Sequence, residues 1–249
     1  MAFENSVSVV TISYNSAATI RQTIESVLGQ TVPCKEYFVI DGCSGDGSAA
    51  IAKEYEAAFA AKGVDYRVVC EPDRGLYDAM NKGIAMTTGT LVGLINSDDW
   101  YEPIAVETVL AKYRETPFDM MYADLNMIQN EKVRGVKRAR LRQGYITTRD
   151  WNHPTTFIRR ELYDRYHYPC RSVYDDLDVL LKIRKNGHKV VIVNKVLANY
   201  RLGGRSNRKN LGAALSRMRI KYRIYRENGY SRLYALEAFG MEIGKWLLS

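Results

Sequence analysis

Thr90-Leu91-Val92-Gly93-Leu94-Ile95-Asn96-Ser97-Asp98-Asp99-Trp100 is the stretch on which the reading of the chain turns. Thr90 to Ile95 form a short apolar run, the length of a strand buried in a sheet. The chain then turns polar and sets two adjacent carboxylates, Asp98 and Asp99, just past the strand end. In an open α/β sheet, ligands bind in the crevice beyond the carboxyl ends of the strands. Two acids there can hold a hard divalent cation, and the cation a diphosphate. The competing reading makes one Asp the cap of a helix announced by Glu102, Pro103 and the apolar residues after them.

Upstream, Ser6 to Tyr14 reads as a first strand ending in the turn Tyr14-Asn15-Ser16. A helix over about Ala17 to Gln30 follows, with Ile20, Ile24, Val27 and Leu28 on one stripe. A second strand, Glu36 to Ile40, runs into Asp41-Gly42-Cys43-Ser44-Gly45-Asp46-Gly47-Ser48, where three glycines permit tight turns near a ligand. Asp41 sits where a side chain can read a base or ribose. A helix over about Ser48 to Lys62 and a strand over Asp65 to Cys70 complete a β-α-β-α-β order, which implies a parallel sheet covered on both faces. The next loop, Glu71-Pro72-Asp73-Arg74-Gly75, enters a helix carrying Tyr77, Asp78 and Asn81. That is more polar chemistry than one helix cap needs. Neither a G-x-G-x-x-G fingerprint nor a Walker A sequence occurs, which argues against a nicotinamide enzyme and a P-loop ATPase.

Downstream, a helix over Pro103 to Glu115 and a strand over Asp119 to Leu125 are expected. Asn126 to Asp150 reads as a basic, turn-rich surface excursion. Trp151-Asn152-His153-Pro154 precedes a helix near Arg160 to Tyr166, and His153 is a candidate ligand or substrate contact. Tyr174-Asp175-Asp176-Leu177-Asp178 opens a further helix; its acids complement the macrodipole and also offer a catalytic base. Strands over His188 to Val193 and Val196 to Arg201 lead to Gly203-Gly204-Arg205-Ser206, a loop suited to closing over a phosphate. Two helices, about Leu211 to Arg226 and Ser231 to Leu248, form the tail.

The chain has 249 residues and a net charge of +8, enough for one large α/β domain with a small appendage. Eleven Lys or Arg against three Glu fall between Arg201 and Ser249 and match the whole net charge. Basic residues interleaved with Trp, Tyr and Leu suit a membrane-surface helix, and packing back on the core is the alternative. Cys34, Cys43, Cys70 and Cys170 show no metal-ligand spacing, so free thiols in a reducing compartment are expected. Neither a signal peptide nor a membrane span is visible.

Val7-Ser8-Val9-Val10-Thr11-Ile12-Ser13-Tyr14-Asn15 and Val39-Ile40-Asp41-Gly42-Cys43-Ser44-Gly45-Asp46-Gly47 resemble the opening blocks of family 2 glycosyltransferases. Glu71 to Gly83 and Asn96-Ser97-Asp98-Asp99 resemble the next two. The ordered set, from about residue 6 to 206, is similar to bacterial transferases that assemble O-antigen, colanic acid or other surface polysaccharide. The resemblance implies a GT-A fold: a mostly parallel central sheet flanked by helices, with a nucleotide-binding half over residues 1–100 and an acceptor-binding half over 101–206. Residues 207–249 form a helical basic extension without a motif.

It further implies a UDP-sugar donor bound with Mn2+ or Mg2+. Thr11, Tyr14, Asp41 and Arg74 would line the uridine pocket, with Asp78 and Asn81 beside it. Asp98 would lie near the ribose, and Asp99 would ligate the metal. Asp176 matches the family's general base, although the doubled Asp175-Asp176 lets that assignment slip by one residue. Gly204, Arg205 and Ser206 fall where the family has a loop near the diphosphate. The expected enzyme is an inverting hexosyltransferase at the cytoplasmic face of the membrane, acting on a polyprenyl-diphosphate-linked glycan, with no nucleic acid as partner. Rival readings are a nucleotidyl transferase, which would lead with a glycine-rich loop after the first strand, and a non-catalytic nucleotide or nucleic-acid binder.

Overall fold

Alternating apolar residues make β1 (Val7–Ser13) the centre of a parallel sheet in the computed structural model, which describes residues 5–144, 146–203 and 211–240. β2 (Glu36–Asp41) and β4 (Leu91–Asn96) flank β1, and β3 (Asp65–Cys70) lies beyond β2. α1 (Ile20–Leu28) links β1 to β2 and buries Ile20, Ile24 and Val27. Full burial of such side chains contributes about 1.5–3 kcal/mol each. The helix expected over residues 48–62 is two, α2 (Ser48–Lys53) and α3 (Glu56–Ala61). They break at Glu54 and Tyr55, whose side chains both turn to Arg21 of α1. α4 (Leu76–Met86) lies close on β1, because a Cβ on Gly83 would stand 2.4 Å from Val10 Cγ1.

The other half of the sheet is mixed. It contains β5 (Trp100–Tyr101), β6 (Met120–Gln129), β7 (Lys132–Lys137), β8 (Phe157–Arg159) and β9 (Val190–Arg201). The order is β3-β2-β1-β4-β8-β6-β9-β5, with β7 also paired to β6. β8 is antiparallel to both β4 and β6, whereas β9 runs parallel to β6. The expected surface excursion over 126–150 opens as a hairpin, since β6 runs on to Gln129 and Asn130 and Glu131 turn with φ 50° and 57°. Positive φ at both central residues suits the twist of a two-residue hairpin. The two strands expected at 188–193 and 196–201 are one. Register shifts against β6 on either side of Asp124 absorb the additional residues of β9.

α5 (Ala105–Glu115) joins α1 on one face of the sheet, burying Val106, Val109 and Leu110. α6 (Arg160–Arg165) and α7 (Asp175–Lys185) join α4 on the other, with Leu177, Leu180 and Ile183 inside. α8 (Leu211–Glu227) packs back on α7. It buries Met218, Lys221, Ile224 and Tyr225, and Asn228 just beyond it donates to Asp178 Oδ1 at 2.7 Å. Residues 234–240 are helical; the rest of the helix expected over 231–248 lies outside the described residues. Among the described residues no helix is long and apolar enough to cross a membrane.

Candidate active site

Because β1, β2 and β4 are parallel, the loops that follow them meet on one edge. Asn15, after β1, takes φ 51°, and Cys43, after β2, takes φ 59°. Left-handed backbone at non-glycine residues is uncommon and persists only where the surroundings enforce it. Here the loops are laced together. The Asn15 N–H donates to Ser44 Oγ at 2.8 Å, Gly45 N–H to Asn15 Oδ1 at 3.1 Å, and Ala17 N–H to Asp46 Oδ2 at 2.9 Å. A Cβ on Gly42 would stand 2.4 Å from Asp73 Oδ2 and 3.2 Å from Tyr14 Cδ2, so Asp73 and the exposed Tyr14 close around that glycine.

Several residues expected at the nucleotide pocket have protein partners in this structure. Thr11 is buried on the α1 face, where its hydroxyl accepts from Tyr37 at 3.0 Å; strand alternation turns it from the open edge. Asp41 is buried too, and both its oxygens take Ser44, from N–H and Oγ at 2.7 Å each. It shapes the loop. Asp78 accepts from the Arg74 backbone at 3.1 Å and its guanidinium at 3.0 Å, contacts that hold its carboxyl below the usual range. Asn81 clamps Tyr168 instead, donating to its carbonyl at 2.8 Å and accepting its N–H at 3.1 Å. Arg74 and Tyr14 remain at the exposed rim. Gly204, Arg205 and Ser206 lie outside the described residues.

Each acidic pair sets one residue buried and the other partly exposed. Asp99 is fully buried, and its Oδ1 accepts the Arg201 N–H at 3.0 Å. Burial, then the adjacent Asp98 charge, push its carboxyl well above the ordinary range. Asp98 is partly exposed and its carboxylate bonds no other side chain among the described residues. Asp175 is likewise buried, with Oδ2 accepting the Arg171 N–H at 2.8 Å and Oδ1 the Ser172 hydroxyl at 2.9 Å. Asp176 accepts the Leu177 N–H at 2.8 Å, and its Oδ2 stands 3.7 Å from His153 Nδ1. Burial raises the Asp176 carboxyl, with His153 opposing.

His153 opens a short 3₁₀ turn that packs against β4 and β6. Burial lowers its imidazole, and neither ring nitrogen has a hydrogen-bond partner among the described residues. The structure therefore brings His153 and Asp176 together and separates Asp176 from Asp175.

Sequence reading missed Arg201, which ties the acidic turn to the end of β9. Its N–H holds Asp99, its Nε donates to the Asp98 carbonyl at 3.3 Å, its Nη2 to Gln22 at 2.6 Å, and it pairs with Glu131. Its guanidinium also lies 5.1 Å from the Trp100 ring centroid. The available signal was its place at the end of an apolar strand, just before a glycine loop.

Asn96 supplies a test of fit for a divalent cation. Its Oδ1, like Asp99 Oδ2, is buried without a partner among the described residues, beside the partly exposed Asp98 carboxylate. Oxygen donors of this kind fit Mg2+ or Mn2+, which keep waters and substrate phosphates as further ligands. Among the described residues no cluster of three His, Cys, Asp or Glu side chains encloses a metal.

A parallel half with acids beyond β4, joined to a mixed half that carries a second acidic pair, defines a GT-A glycosyltransferase fold. S. aureus TarS 1–349 in complex with UDP-GlcNAc matches it with a TM-score of 0.69, over 96% of this chain and 72% of that one, at 18% identity. The mannosyltransferase PcManGT from Pyrobaculum calidifontis, in complex with GDP-Man and Mn2+, matches with a TM-score of 0.66, over 100% and 71%, at 16% identity. The chain belongs to glycosyl transferase family 2, whose family model matches residues 8–173. Bacillus subtilis TuaG, named for teichuronic acid biosynthesis, is 27% identical over 225 residues, 87% of each chain. B. subtilis EpsH, named as a glycosyltransferase, is 35% identical over 104 residues, 42% of this chain and 29% of that protein. Family membership sets aside the nucleotidyl-transferase and non-catalytic readings.

Proposed function

We propose that this glycosyltransferase moves a hexose or N-acetylhexosamine from a UDP-sugar to a glycan of a bacterial surface polysaccharide, inverting the anomeric centre. The observation that carries this reading is that each acidic pair keeps one acid partly exposed, Asp98 past β4 and Asp176 with its Oδ2 3.7 Å from His153 Nδ1, while Asp99 and Asp175 are buried. The UDP-GlcNAc complex of TarS supports the donor class, and TuaG supports the polysaccharide setting.

On the donor side, Tyr14 offers a ring for the base, with Gly42 and Asp73 beside it and Arg74 at the rim. Asp98 would hold Mn2+ or Mg2+, with Asn96 Oδ1 and Asp99 Oδ2 as unpartnered oxygens in the same turn; we place the metal on Asp98, the partly exposed acid of the pair. When bound, the cation supplies Lewis-acid stabilisation of the charge that grows on the leaving diphosphate. Arg201 fixes the turn that presents Asp98. Gly204, Arg205 and Ser206 are proposed as further diphosphate contacts.

On the acceptor side, the attacking hydroxyl gives its proton to Asp176. Its oxygen bonds to the anomeric carbon from the face opposite UDP while the bond to UDP breaks. An α-linked donor then yields a β-linked product. A raised carboxyl value suits this role, since a general base works best when its pKa lies close to the working pH. His153 Nδ1 stands 3.7 Å from Asp176 Oδ2, and His153 is proposed to meet the acceptor. A polyprenyl-diphosphate-linked acceptor would bring the enzyme to the membrane face, where the exposed Arg219, Arg223 and Arg226 can meet anionic lipid.

Asp176→Asn should lower kcat by about 10²–10⁴-fold and leave UDP binding intact. The anomeric configuration of the wild-type product, read by proton NMR, should be the opposite of the donor's. A retained configuration would overturn the single-displacement mechanism.

A further inference from the structure

Two thiols that the transfer reaction does not use meet at the mouth of the nucleoside site. Cys43 leaves β2 in the left-handed conformation, which bends it back over the strand end. Cys70 is the last residue of β3 and is paired in register with Asp41. Their Sγ atoms lie 3.6 Å apart, and both residues are free and exposed. A disulfide needs an Sγ–Sγ separation of about 2.05 Å, so closing the bond requires roughly 1.5 Å of combined side-chain movement. Cys70 Sγ also lies 3.7 Å from Asp41 Oδ1, the oxygen that holds the Ser44 N–H. A bond between the thiols therefore acts on the segment that carries Gly42, Ser44 and the contacts to Asn15.

We propose that Cys43 and Cys70 are a redox modification site whose disulfide weakens nucleotide binding by fixing the Gly42–Ser44 turn against β3. This rests on the reading of that turn as part of the nucleoside pocket. Hydrogen peroxide is the oxidant class. One thiolate sulfur attacks a peroxide oxygen, the O–O bond breaks, and a sulfenic acid and water form after proton transfer. The second thiolate attacks that sulfur, the S–O bond breaks, and a second water leaves. Two thiols thus lose two electrons and two protons, and one peroxide becomes two waters. An added dithiol reverses the bond by exchange. Cys34 is buried and Cys170 stands apart, on Asn81 and Tyr168, so neither competes for the pair.

The test treats the full chain with stoichiometric hydrogen peroxide, counts thiols after denaturation, maps the linked peptides, and measures UDP binding with Mn2+ by calorimetry. Four thiols should fall to two, with Cys43 joined to Cys70. UDP affinity should fall by about tenfold or more, ~1.4 kcal/mol, and dithiothreitol should restore it. Cys70→Ser should bind UDP alike before and after peroxide. Four thiols remaining, or a different pairing, overturns the disulfide. A Cys43–Cys70 bond with unchanged UDP affinity overturns its effect on binding. Reduced wild type that binds no UDP removes the nucleoside reading and the effect with it, while the thiol count still decides the bond.

Discussion

Burial raises the carboxyls of Asp98, Asp99 and Asp176, and at Asp99 the neighbouring Asp98 charge adds to the loss of water. For an acid raised by folding, the unfolded chain releases its proton first. The stability the neutral form provides is full below about pH 4, where unfolded Asp titrates, and is lost as pH rises towards the folded value. Asp99→Asn removes that titration and keeps an oxygen for the Arg201 N–H. Its stability relative to wild type should therefore grow between about pH 4 and pH 7, read from urea midpoints; a pH-independent difference would contradict the buried assignment. Asp176 gives the kinetic counterpart. Since the base must be ionised, kcat/KM should rise with pH through an acidic limb above the ordinary Asp value of about 3.9, and a limb at that ordinary value would point to another base.

These residue-scale distinctions lie beyond sequence pattern. Asp98 and Asp99 are chemically identical letters, and only the buried turn to Arg201 separates them. The same holds for Asp175 and Asp176. Thr11 was open to correction by strand period alone, because it shares a face with Val9.

At the scale of elements, α4 shows how a polar segment can serve packing. Asn81 spends its amide on Tyr168, and Asp78 pairs with Arg74 and Lys82. Asn81→Ala leaves the buried Tyr168 backbone short of a partner and should cost about 1–3 kcal/mol of stability, with UDP affinity unchanged. A stable variant with lost UDP affinity would return Asn81 to the nucleotide pocket. The parallel half was legible because β1, β2, β4 and α1 carry full apolar periods. β7 was not, since its Lys, Arg and Val side chains are mostly exposed. β5 and β8, of two and three residues, are too short to show a period. Their pairing is set by β9 and β4 across the chain.

For the molecule as a whole, the basic tail is divided between core and surface. Tyr225, Met218 and the Lys221 stem fasten α8 inside, with Lys221 Nζ 4.8 Å from the Tyr174 ring centroid. Arg219 and Arg223 face outward. Basic residues near an anionic surface contribute about 1 kcal/mol each. The double variant Arg219→Glu, Arg223→Glu should therefore bind phosphatidylglycerol vesicles at least about tenfold more weakly and keep its UDP affinity. Equal vesicle binding would count against docking through this face.

The central claim is that one acid of the β4 pair serves the donor and the other serves the fold. Calorimetric titration of UDP, with and without Mn2+, into wild type, Asp98→Asn and Asp99→Asn tests it directly. Metal-dependent binding should persist in wild type and Asp99→Asn and be lost in Asp98→Asn. Loss in a folded Asp99→Asn, with Asp98→Asn binding like wild type, would move the metal to Asp99 and contradict the division of roles proposed for this site.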